Sequence, residues 1–152
     1  MRLALVLAGA AVALAAAAGC TARGDDTARS NLATQLGQLC DESRLEVEKL
    51  GEPRDVGAAV FHQWAKVGRR FVADARRLPT ETAAERQQLS SLARYFGGFY
   101  ANLEIAYRMY RAQQSTAIKQ VLERGYAFLA SAERIATRIG ATECAVRPYA
   151  DT

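Results

Sequence analysis

His62 is the single histidine of the chain, in the run Phe61-His62-Gln63-Trp64, and is the first residue to weigh for chemistry. Imidazole can serve as general base, metal ligand or haem ligand near neutral pH. On a helix, His62 and Trp64 stand two positions apart and point in different directions. No Asp-Xaa-His or paired His-Glu spacing surrounds it, so it reads as a surface or boundary histidine. Five of the six tyrosines lie between Tyr95 and Tyr126, and Tyr107 and Tyr110 are i, i+3 neighbours beside Arg108 and Arg111. Such spacing suits either a pocket wall for a sugar, lipid or flat ligand, or a core boundary with hydroxyls in water. The boundary is the simpler reading. Glu46 and Glu48 are two apart and fall on different helix faces, so they form no acid–base pair. Gly-Xaa-Ser-Xaa-Gly, Walker, Cys-Xaa-Xaa-Cys and His-Glu-Xaa-Xaa-His motifs do not occur. One histidine argues against a His-based metal centre, and three cysteines are too few for a four-cysteine zinc site. Neither catalysis, a metal nor a cofactor is expected.

The cysteines carry more information. Met1-Arg2 is followed by an unbroken apolar run from Leu3 to Gly19, the layout of a secretory signal. Its length borders on a membrane span, which needs about 20 apolar residues. The boundary Ala17-Ala18-Gly19-Cys20 resembles the lipobox of bacterial lipoproteins, with Ala17 standing where leucine is usual. That resemblance covers residues 1–20 only. It implies that the Cys20 thiol takes the lipid, palmitate among its acyl chains, and that Cys20 becomes the mature N-terminus. The other arrangements are an ordinary signal cleaved after Ala18 or an uncleaved anchor. An exported chain with three cysteines otherwise keeps one unpaired thiol in an oxidising compartment. Lipidation of Cys20 leaves Cys40 and Cys144 to pair with each other. The expected organisation is a signal peptide over 1–19, a lipidated polar tether over 20–30 and one helical domain over 31–152.

The elements that must position these residues are helical. The mature chain is rich in Ala, Leu, Arg, Gln and Glu and lacks alternating β-branched runs. The spacing predicts a first helix over about 27–50, stopped by Gly51-Glu52-Pro53. A second spans about 55–78, with Asp55 as N-cap, Val60, Trp64, Val67, Phe71 and Leu78 along one face, and Pro79 at its end. Thr82-Ala83-Ala84-Glu85 fits a capping box that opens the third. Leu89, Leu92, Phe96, Phe99, Leu103, Ala106 and Tyr110 continue it in three-four alternation. The fourth runs from about Ser115 to Ile139, with Gly140 after it. The stretch between the last two has neither Gly nor Pro. A continuous helix from 82 to 139 would be about 87 Å long, so a compact domain requires a turn near Ser115. Short loops make neighbouring helices antiparallel. The expected fold is therefore all-α: an antiparallel up-down four-helix bundle in which helices one and four close the ring. The Cys40–Cys144 bridge requires the chain after Gly140 to double back toward the middle of helix one. Gly97-Gly98, inside the third helix, costs about 2 kcal/mol of helix propensity, which implies close approach of another helix or a bend.

Charge is uneven. From Asp25 to Pro53 there are three cations and seven carboxylates; from Arg54 to Arg111 there are ten cations and five carboxylates. Arg69-Arg70 and Arg76-Arg77 recur on one side of helix two, as a solvated face partly neutralised by helix one or as a surface for anionic headgroups or polymers. Export and a net charge of only +4 argue against nucleic acid. The expected function is that of a lipoprotein on the extracytoplasmic face of a bacterial membrane. Its bundle would act as an interaction or accessory module for an envelope protein. The alternative is a carrier or sensor of a small hydrophobic ligand, lipid or haem, lined by Trp64, Phe71, Phe99 and Tyr107.

Overall fold

The computed structural model describes residues 23–53 and 57–145. Cys20, the segment before it and the Asp55 cap lie outside the described residues. Four long helices pack against one another: α1 (Arg23–Leu50), α2 (Ala59–Ala75), α3 (Ala83–Arg111) and α4 (Ser115–Ile139). A 3-10 turn, Thr142–Ala145, follows α4. The fold is an all-α four-helix bundle, and no described helix is long and apolar enough to cross a membrane.

The helix ends follow from local chemistry. α1 starts at Arg23, about four residues before the expected start near Thr27, so the helix reaches into the stretch expected as tether. Neither Gly nor Pro interrupts residues 25–36. α2 stops at Ala75, three residues short of the expected Leu78. The Pro79 ring would clash with the carbonyl four residues earlier, which belongs to Ala75. The chain leaves in tight turns, Arg77 N–H to Asp74 O at 2.9 Å and Leu78 N–H to Ala75 O at 3.2 Å. At the start of α3 the capping box is complete. Glu85 N–H donates to Thr82 Oγ1 at 3.1 Å, and Thr82 N–H donates to Glu85 Oε2 at 2.9 Å.

The turn between α3 and α4 is a Schellman motif. Gln114 N–H reaches Met109 O and Gln113 N–H reaches Tyr110 O, both at 3.0 Å. Gln113 takes the left-handed position at φ 57, where glycine is usual. α4 ends in the same motif with glycine in place: Gly140 at φ 95, Ala141 N–H to Ala136 O at 3.0 Å and Gly140 N–H to Thr137 O at 3.1 Å.

Two apolar clusters stack along the bundle and establish its antiparallel order. One joins Leu32, Leu36 and Cys40 of α1 to Phe71, Val72 and Ala75 at the end of α2, Leu89, Leu92 and Phe96 at the start of α3, and Ala132 and Ala136 late in α4. The other joins Val47 near the end of α1 to Val60, Trp64 and Val67, Leu103 and Ala106, and Val121. Every described core residue lies between Leu32 and Cys144. The ring closes differently from the expectation. α1 lies along α2 but meets α4 only at its edge, and the 3-10 turn bridges the two. An added Cβ on Gly140 would stand 3.4 Å from Ala33 Cβ, and one on Gly37 would meet the Glu143 side chain. The chain thus reverses at Gly140 and runs back along α1 to Cys144, which is disulfide-bonded to Cys40 with Cα atoms 5.1 Å apart.

Small residues seat aromatic rings between helices. The Tyr100 ring of α3 lies directly on the Gly68 backbone of α2, and the Phe128 ring of α4 lies on Gly98 of α3. A Cβ at Gly98 would come within 2.7 Å of the Phe128 ring, whereas one at Gly97 would meet nothing within 4 Å. Close helix approach therefore accounts for Gly98 and leaves Gly97 unexplained. Gly97→Ala is expected to stabilise the protein by about 0.5–1 kcal/mol through helix propensity. Gly98→Ala is expected to destabilise it by about 1–3 kcal/mol through overpacking. Thermal melts of the two variants should move in opposite directions.

Candidate functional site

The polar side chains that converge most closely lie between the N-terminal half of α2 and the C-terminal half of α3. His62 Nδ1 is 2.8 Å from Glu104 Oε2. An ionised carboxylate only accepts, so Nδ1 carries the proton and, in the neutral ring, Nε2 keeps its lone pair. The ring stacks on Tyr107, centroids 5.1 Å apart and planes at 29°. Arg111 Nη1 donates to the Tyr107 hydroxyl at 3.4 Å. Arg69 and Arg108 approach the same carboxylate at 3.8 and 3.7 Å. Glu104 is only 17% exposed and His62 29%, so this is a half-buried network with both arginines at its solvent edge. The His62 hydrogen bond is the main reason the Glu104 carboxyl is held below the usual carboxylate range, and the positive charges of His62, Arg108 and Arg69 add to it. Partial desolvation opposes the shift and does not reverse it.

This arrangement orients an imidazole and clusters positive charge. Among the described residues, no group of three His, Cys, Asp or Glu side chains is placed to hold a metal ion. Sequence reasoning placed His62 correctly at a boundary but missed its partner. Glu104 is 42 residues away, and only the packing of α2 on α3 brings the two together.

The residues considered for a hydrophobic ligand divide between the two clusters. Phe71 is buried in the first, edge-on to Phe96 with centroids 4.9 Å apart. Trp64 is buried in the second beside Phe61, and Phe99 and Tyr107 pack against that same cluster. Tyr100, between the clusters, stacks on Phe96 and contacts Phe99; burial pushes its phenol pKa up. Tyr110 and Tyr126 are exposed, as a boundary reading expects.

A separate open groove of about 710 Å³ runs between α1 and α2. Lys49, Lys66, Arg69 and Arg70 line it with Glu46, over the apolar Leu50, Val67 and Ala73. Arg70 pairs with Glu46 across the groove, so the acidic first helix neutralises part of the α2 face. No protein-family model, curated protein or solved structure matches the chain.

Because the carboxyl of Glu104 is shifted downward in the folded state, its charge stabilises the fold above the ordinary carboxylate range. That contribution disappears as pH falls through the folded-state value. Glu104→Gln should therefore cost about 1 kcal/mol at pH 7, the scale of a partly exposed charged hydrogen bond. Chemical denaturation of both proteins across pH should show the gap closing in acid.

Proposed function

We propose that the chain is a lipoprotein on the extracytoplasmic face of a bacterial membrane, anchored through Cys20, with the bundle as an interaction or accessory module. The observation that carries this reading is the Cys40–Cys144 disulfide. With those two thiols consumed, Cys20 is the one cysteine of three outside the bridge, and it directly follows the apolar run and Ala17-Ala18-Gly19. A disulfide of this kind belongs to an oxidising compartment. Lipidation of Cys20 would remove the remaining reactive thiol. Two or three acyl chains, at about 0.8 kcal/mol per buried CH₂, would hold the protein on its membrane.

The module reading is supported by aromatic residues committed to packing. Trp64 and Phe71 fill different clusters rather than one chamber, which gives the hydrophobic-carrier alternative less support. The proposed partner is an envelope protein, met through the exposed helix faces.

Intact-mass analysis and membrane fractionation test the anchor. The wild-type chain is expected in the membrane fraction with acyl mass on a mature N-terminal Cys20. Cys20→Ala should be released or should accumulate as unprocessed precursor. A mature chain beginning at Gly19 or Thr21 without acyl mass would replace lipoprotein by plain secretion.

A further inference from the structure

The net charge of the whole chain is +4, and one helix and its exit turn account for all of it. Between Ala59 and Leu78 there are five cations, Lys66, Arg69, Arg70, Arg76 and Arg77, against the single carboxylate Asp74, and the rest of the chain balances. All five are exposed, because the opposite face of α2 is spent on the core through Val60, Trp64, Phe71 and Ala75. Lys66, Arg69 and Arg70 are spaced by threes and fours along the outer side of α2, and Arg76 and Arg77, seven positions after Arg69 and Arg70, carry the charge into its exit turn. Only part of that charge is answered. Arg70 meets Glu46, Arg77 meets Asp74 at 3.2 Å, and Arg69 shares Glu104 with His62 and Arg108. The α1–α2 groove continues the cationic surface through Lys49, with apolar Leu50, Val67 and Ala73 among the residues that line it.

The position of this face in the bundle selects its partner. The start of α1 and the end of α2 share one cluster, so Arg76 and Arg77 belong to the end of the bundle from which the chain leads back to Cys20. Only two residues, Thr21 and Ala22, lie between Cys20 and Arg23, at most about 10 Å of chain. We infer that the α2 face docks on anionic phospholipid headgroups of the membrane that holds the anchor, laying the bundle on its α2 side. Charge complementarity supplies the attraction, and acylation supplies the proximity. The orientation rests on the lipoprotein reading, but the affinity of the face for anionic lipid does not.

The test separates the two by omitting the acyl chains. A chain beginning at Thr21, disulfide intact, is mixed with vesicles of phosphatidylcholine alone or with one-third phosphatidylglycerol, and bound protein is measured by cosedimentation. Binding to the anionic vesicles at low salt is expected, with loss at high salt, where screening shortens the Debye length to about 3 Å at 1 M. Each cation near an anionic surface contributes about fivefold in partitioning. The variant carrying Lys66→Gln, Arg70→Gln, Arg76→Gln and Arg77→Gln should therefore bind several hundredfold more weakly. A second variant, with Arg86→Gln, Lys119→Gln, Arg124→Gln and Arg138→Gln, loses the same charge from exposed positions on α3 and α4. It should retain most of the binding, and circular dichroism should show both variants folded. No binding to anionic vesicles, equal binding to neutral ones, or equal loss in both variants would each overturn the proposal.

Discussion

The placement of α1 depends on one covalent contact. α1 lies along α2, meets α4 only at its edge, and is fastened on that side by the 3-10 turn and the Cys40–Cys144 disulfide. The bridge spans 104 positions of sequence. Chain-entropy models assign a closure of that length about 4.7 kcal/mol, an upper range for measured disulfides. Gly140 makes the fastening possible: its left-handed conformation reverses the chain, and its missing side chain lets the turn lie against Ala33. Ala141, fully buried, fixes the turn in the core between α4 and α1.

The rest of the bundle is held by packing. α3 and α4 share the most extensive interface, in which Phe128 seats on Gly98 and Phe99 and Asn102 close over Gly125. Asn102 is buried and satisfies its amide by donating to Gly98 O at 2.7 Å, so the interface contains a polar residue without leaving that donor unpaired. α2 joins through the Tyr100 ring on Gly68 and through the His62–Glu104 pair. α1 is thus added to a three-helix frame, and its acidic residues meet the cationic face of α2 through Glu46 and Arg70.

Much of this was legible because it is local or because it is arithmetic. The bounds of α4, the Thr82–Glu85 capping box and the stop at Gly140 follow from residues within a few positions of one another. The disulfide followed from counting thiols once one of them was assigned elsewhere. The α3–α4 turn was expected from length alone, because Gln113 takes the left-handed position without the glycine that would mark it locally. Glu104 was hidden for a different reason: its relation to His62 depends on cross-helix register, which no short spacing encodes. The weak α1–α4 contact was missed because four amphipathic stripes imply a closed ring, whereas the returning turn occupies the space where those helices would meet. Of the candidate site, the sequence displayed each side chain but not the network that joins them.

If α1 is the added element, opening the disulfide must loosen it first. Native-state hydrogen exchange on the oxidised protein and on a Cys40→Ser, Cys144→Ser variant measures this helix by helix. The account predicts that amides of α1 and of the 3-10 turn lose protection while the central turns of α3 and α4 keep theirs. Equal loss of protection in all four helices, or none in α1, would contradict it.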